Sequence, residues 1–93
     1  MSAISGQKTV AAAGTAEALG TALIHGPLMV KGLLSNGGNV YIGNDGAGDV
    51  TSSNGIELAA GDAVVFDHVS SLSALIVDVA VNGEGVSWIA LNV

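Results

Sequence analysis

The side chains best suited to catalysis lie around the two histidines, His25 and His68. Asp67 precedes His68, and Ser70 and Ser71 follow it, so an acid, a base and a nucleophile occur within five residues. If the segment is a regular strand, however, Asp67 and His68 point to opposite faces, and the acid cannot orient the base. We therefore predict no catalytic residues and no enzymatic activity.

Metal chemistry is also weakly supported by the residue types present. The chain has two histidines and no cysteine, which is too few ligands for a zinc site. Residues 44–49 combine an asparagine and two aspartates with glycines, as calcium loops do, but they fail the EF-hand template. If the template starts at Asp45, it requires a ligand at position 47, a glycine at position 50 and a bidentate glutamate at position 56. The chain has Ala47, Val50 and Ile56 there. We predict a solvated turn, with an irregular calcium site as the open alternative, and no cofactor.

Carboxylates and aromatic side chains give no clearer site. Asp62, Asp67 and Asp78 could serve in acid–base catalysis, yet no pattern brings two of them together. The chain has one Trp, one Tyr and one Phe, whereas sugar-binding surfaces stack rings on exposed aromatic side chains. Trp88 is therefore predicted to be a core or interface side chain. Tyr41 is predicted to face a neighbouring subunit from its strand, with a place at the rim of a pocket as the alternative. A displayed module that binds a glycan or a receptor is kept as the alternative function.

The composition favours a protein that packs against other protein. The 93 residues form a single predicted domain (1–93), 49% of them hydrophobic and 11% charged, against about 25% charged in ordinary domains. A surface so poor in charge is typical of an oligomer or of a domain seated on a larger particle. The net charge of −6 includes only two cations, Lys8 and Lys31, so no basic patch for nucleic acid is predicted. No apolar run is long enough to predict a membrane partner.

The elements that position these residues are predicted to be short strands. Residues 35–46 contain a strand at 40–42 between two glycine–asparagine turns, and Asn36-Gly37 favours a tight hairpin with the strand before it. Similar turns recur towards the C-terminus. The pattern predicts an all-β domain of about eight short strands, either a small antiparallel β-sandwich or a jelly-roll-like barrel.

The N-terminal third has the least regular pattern. We predict strands near residues 7–12 and 16–22, with a turn at Gly14, and keep a short helix capped by Thr15 as the alternative. A further strand is predicted at 28–34, beginning after Pro27. Residues 1–26 are also predicted to form an arm, or edge strands, that contact a neighbouring subunit.

Several predicted strands are apolar on both faces, which indicates that one face meets a neighbour. Leu33 lies on the face of its strand opposite Leu34, Ile76 shares a face with Asp78, and Trp88 lies opposite Ile89 and Leu91. The predicted interface residues are Leu33, Tyr41, Ile76, Trp88, Ile89 and Leu91.

Two segments carry a resemblance to a known class of proteins. Residues 40–46 (VYIGNDG) and 81–90, which includes VNGEGVSW, are linked by residues 51–62, which begin TSSNG. From about residue 30 onwards the chain resembles small structural proteins of tailed bacteriophages, in which such motifs mark turns of a β-sandwich. The resemblance implies a virion protein made in the host cytoplasm, and the expected role is that of a capsid decoration or cement protein. The resemblance does not distinguish among three locations in the virion: the head, the head–tail junction and the tail.

The resemblance also implies partners. The expected ones are the major capsid protein or another virion protein, together with further copies of this chain. A trimer is the predicted oligomer because it would match the local threefold positions of a capsid. The acidic surface is expected to keep unassembled subunits soluble.

Overall fold

The computed structural model describes residues 3–44, 50–51 and 54–91. Over these residues the chain forms eight strands and a single turn of 3₁₀ helix, Leu72–Ala74. The strands are β1 (Ala3–Thr9), β2 (Glu17–Ala18), β3 (Leu23–Gly32), β4 (Val40–Gly43), β5 (Ile56–Leu58), β6 (Ala63–Ser71), β7 (Ile76–Val79) and β8 (Gly85–Leu91).

The strands build two four-stranded antiparallel sheets. Sheet A has the order β1-β8-β3-β6 and sheet B the order β2-β7-β4-β5. The first strand pairs with the last, the second with the seventh, the third with the sixth and the fourth with the fifth. The chain is therefore one long antiparallel ribbon folded over into two layers, which is the arrangement of a jelly roll. The predicted small β-sandwich of about eight strands is confirmed.

The core lies between the two sheets and follows from alternation along the strands. In β3 every second residue is buried, from Ile24 through Leu28 to Val30, while the residues between them are wholly or partly exposed. Sheet B contributes Val40, Ile42 and others from its inner face. The buried core residues are Val10, Leu19, Ile24, Leu28, Val30, Val40, Ile42, Leu58, Leu72, Leu75, Val77, Val79, Val86 and Ala90.

The hairpin predicted at Asn36-Gly37 is wrong, because β3 and β4 belong to different sheets. Gly37 does not adopt the positive φ that a tight hairpin would require there. The turn instead carries the chain from one layer to the other and is held from outside. The Glu84 carboxylate accepts the N–H groups of Gly37 at 2.6 Å and Gly38 at 3.0 Å. A contact distant in sequence thus overrides the local turn preference.

The strand bounds in the first third also differ from the prediction. Pro27 lies in the middle of β3 rather than before its start, and the pairing of β3 with β8 stops at the next residue, Leu28. Pro27 has no N–H to donate to a neighbouring strand. The turn at Gly14 is confirmed, with φ at +90°, where glycine has no steric penalty. The strands before and after it are β1 and the two-residue β2.

The segment around His68 is irregular. Between the pairs Leu28↔Phe66 and Gly26↔Val69, two residues of β6 stand opposite the single residue Pro27. This bulge breaks the alternation of buried and exposed residues along β6, and Asp67 and His68 are both exposed.

Candidate functional site

A shallow depression lies on the outer face of sheet A. Its volume is about 260 Å³, and only apolar side chains line it. They are Pro27, Met29, Val65, Ile89 and Leu91. We call this set the apolar patch.

The register of three strands places these side chains together. Met29 in the central strand β3 is the cross-strand partner of both Val65 in β6 and Ile89 in β8. Pro27 and Leu91 lie two residues further along β3 and β8, on the same outward face. Because directly opposite side chains stand about 5 Å apart, the alternation that fills the core also assembles the apolar patch.

The apolar patch is open, and polar residues border it. Val65 is 61% exposed and Met29 is 38% exposed, although both lie within regular sheet. Lys31 and its cross-strand partner Ser87 border the patch on one side. The bulge residues Asp67 and His68 lie towards its opposite side. An apolar centre with a polar rim is the usual composition of a protein interface. The patch holds no converging polar groups, which a small-molecule site normally has.

The outer face of sheet B is built differently. Tyr41 in β4 is paired with Asp78 in β7, and these two side chains are 7% and 0% exposed. Neither belongs to the core cluster between the sheets. Asp78 Oδ1 accepts the N–H of Gly14 at 3.0 Å, so the β1–β2 connection lies over this face. The chain therefore covers part of the outer surface of sheet B with its own backbone.

Asp78 is only partly satisfied in this environment. Its Oδ1 also accepts the N–H of Val79 at 2.8 Å, whereas Oδ2 has no hydrogen-bond partner in the part of the chain that the structure describes. The neighbouring Ala13 N–H donates to Asn82 Oδ1 at 2.8 Å. Two acceptors thus anchor successive residues of the β1–β2 connection.

The six predicted interface residues lie in several places. Ile89 and Leu91 belong to the apolar patch. Trp88, directly before Ile89 in sequence, packs against the core on the other face of β8. Tyr41 is buried on sheet B, and Leu33 and Ile76 are half-buried.

Three residues of the apolar patch, Pro27, Met29 and Val65, were missed by sequence reasoning. Met29 shares its strand face with Lys31, which made that face read as half polar. Val65 stands between two strand-forming apolar residues, Val64 and Phe66. Because side chains alternate along a strand, one apolar face of β6 has to point away from the core. The apolar residues on both faces of this strand were the sequence signal that could have identified Val65 as a surface residue.

The candidate catalytic residues form no recognisable site. Over residues 3–44, 50–51 and 54–91, no three His, Cys, Asp or Glu side chains lie close enough to hold a metal ion. Asp67, His68 and Ser70 are exposed, and within those ranges no hydrogen bond joins them. The candidate calcium loop at 44–49 lies almost wholly outside the described residues.

Aromatic side chains are also poorly placed to stack on a sugar. Tyr41 is buried, while Phe66 and Trp88 are half-buried against the core. These are the three aromatic residues of the chain.

One ion pair ties the margins of the two sheets together. Lys8 Nζ in β1 donates to Glu17 Oε1 in β2 at 2.9 Å, and Glu17 Oε2 accepts the N–H of Ala11. These two hydrogen bonds, together with the lysine charge, hold the pKa of Glu17 below its ordinary value.

No family model, curated protein or solved structure matches this chain. The short 3₁₀ turn, the only helix among the described residues, is far too small to cross a bilayer.

Proposed function

We propose that this protein is a non-enzymatic structural component of a bacteriophage virion, a decoration protein that docks on the capsid through the apolar patch. The exposed patch on sheet A is the observation that supports docking. The resemblance of residues 40–46 and 81–90 to phage structural proteins supports the proposal that the protein is part of a virion. The chain's low charged fraction, 11%, agrees with a surface used for contact.

The energetics favour a structural role over tight binding by single copies. Apolar burial contributes roughly 25 cal/mol per Å², and association costs at least about 4 kcal/mol in lost motional freedom. A patch of five side chains therefore gives a modest affinity for one subunit. Repeated over a capsid lattice, or linked within an oligomer, the same contact stabilises the shell strongly.

The test uses capsids from the phage that encodes this protein, prepared so that they lack it. Wild-type protein is expected to bind them saturably, at a fixed copy number, and to raise the temperature at which they rupture. Val65→Glu places a charge within the patch, at its most exposed side chain, and is expected to weaken binding about tenfold or more. Cosedimentation measures the binding, and calorimetry measures the rupture.

The matched control is Leu34→Glu, which adds the same charge at an aliphatic residue that is 77% exposed and outside the patch. It is expected to bind as the wild type does. Absence of the protein from purified virions, measured by mass spectrometry, would overturn the virion role. Undiminished binding by Val65→Glu would overturn the apolar patch as the docking surface.

A further inference from the structure

The four edge strands of the sandwich differ in how open they are to a further strand. In sheet B, β2 has two residues and β5 has three, which is too short for extended pairing. In sheet A, β6 is interrupted by the bulge at Asp67 and His68. Only β1 combines length with regularity, since all seven residues of Ala3–Thr9 pair with β8 without a register shift. Long, flat edges like this one are the usual sites of strand addition.

The free backbone groups of β1 can be assigned from the hydrogen bonds at its end. Val10 donates its N–H to the Glu84 carbonyl at 2.9 Å and accepts the N–H of Gly83 at 2.8 Å, so Val10 faces the β8 side. Backbone groups of successive strand residues point in alternate directions. The odd-numbered residues of β1 therefore turn their N–H and C=O groups to the open edge. These residues are Ala3, Ser5, Gln7 and Thr9, and all four are exposed.

Charge also distinguishes this edge from the opposite one. The margin formed by β5 and β6 carries Glu57, Asp62 and Asp67, all exposed. At the β1 margin the single acidic side chain of β2, Glu17, is paired with Lys8. For a protein of net charge −6, two copies repel each other least when they meet along β1.

Trp88 lies where an added strand would cover it. Its indole runs beneath Gly6, the middle residue of β1, and a Cβ at Gly6 would stand 3.2 Å from Trp88 Cζ2. The side chain is only half-buried. Tryptophan is enriched among residues that dominate interface energies, and a partner strand at this edge would complete its burial.

We propose that β1 pairs antiparallel with β1 of a second copy about a two-fold axis at Gly6. Because Gly6 is the centre of Ala3–Thr9, this register pairs all seven residues. It sets Ser5 opposite the partner's Gln7 and Lys8 opposite the partner's Ile4, with no like charges facing. The two sheets A join into one continuous eight-stranded sheet. This pairing does not depend on the virion role or on the apolar patch.

The proposed register gives a charge test, because position 5 of one copy faces position 7 of the other. Ser5→Lys/Gln7→Lys sets lysine against lysine twice, and we expect the dimer dissociation constant to rise about tenfold or more. Ser5→Glu/Gln7→Lys sets glutamate against lysine and is expected to keep the dimer. Sedimentation equilibrium gives the mass, and wild-type protein at micromolar concentration is expected at twice its chain mass of 9.0 kDa.

The control is Ala63→Lys/Ser70→Lys, which adds the same two charges to exposed positions of the other long edge strand, β6. It is expected to dimerise as the wild type does, and thermal melts check that every variant folds. The proposal is overturned if wild-type protein is monomeric up to about 100 μM. A trimeric wild-type protein, which is the oligomer predicted from the sequence, would also overturn it. So would an equal weakening of the dimer by the lysine variants of β1 and of β6.

Discussion

The outer faces of the two sheets contain similar apolar strands but meet different surroundings. On sheet B, Tyr41 is buried, and the β1–β2 connection is bonded to its neighbour Asp78. On sheet A, Met29, Val65 and Ile89 form an equally regular cross-strand row that stays open. The outward apolar face of sheet B is therefore buried where a connecting segment is bonded over it, and that of sheet A stays exposed. The strand sequence itself is compatible with both outcomes.

The largest expected effect comes from breaking the covered face. Tyr41→Ala removes a buried aromatic side chain, and we expect the free energy of unfolding to fall by about 3–5 kcal/mol. Val65→Ala on the open face is expected to change it by no more than about 0.5 kcal/mol, because the residue is mostly exposed. Chemical denaturation followed by circular dichroism measures both values. Equal losses in the two variants would contradict the distinction between the faces.

A smaller effect is expected where the β1–β2 connection is attached. Asp78→Ala leaves the Gly14 N–H without its acceptor, and we expect a loss of about 1–3 kcal/mol in the free energy of unfolding. Asp78→Asn retains an acceptor oxygen and should lose less. Asp67→Ala, an exposed aspartate, serves as the control and should stay within about 0.5 kcal/mol of wild type. A neutral or stabilising Asp78→Ala would show that this hydrogen bond does not hold the covering segment.

The smallest effect concerns the ion pair between the sheet margins. Lys8 lowers the pKa of Glu17 in the folded protein, so the folded state binds this proton less readily than the unfolded chain does. The stabilisation is fully present above the ordinary value of 4.5 and is lost as pH falls through the lower folded value.

The melting temperature of Lys8→Gln should therefore lie slightly below that of wild type at pH 6, and the gap should close in acid. Lys31→Gln, at the other lysine of the chain, is the control and should show no such trend. A gap that persists unchanged to pH 2 would exclude Glu17 as its source.

Much of the fold could be predicted because it rests on local patterns. The strand at residues 40–42, the turn at Gly14 and the two-layer all-β architecture follow from strand-forming residues between glycine turns. Strand partners could not be predicted in this way. The β1–β8 pairing joins the two ends of the chain, and the Glu84 contact that redirects the Asn36 turn is equally distant in sequence.

The candidate site was predictable only in part for the same reason. The two-sided apolarity of their strand predicts Ile89 and Leu91 as interface residues, and the same rule predicts Tyr41 and Ile76. The rule cannot detect that Tyr41 is buried in the folded chain, nor that a bulge leaves both Asp67 and His68 exposed. Both depend on chain segments packed from elsewhere.

Hydroxyl-radical footprinting of the protein, free and bound to capsids, tests the contrast between the faces most directly. Met29 on sheet A is 38% exposed and Tyr41 on sheet B is 7% exposed, and both side chains react readily when accessible. We predict that Met29 is oxidised rapidly in the free protein and becomes protected on the capsid, while Tyr41 is protected in both states. Unchanged oxidation of Met29 on the capsid would contradict docking through the apolar patch.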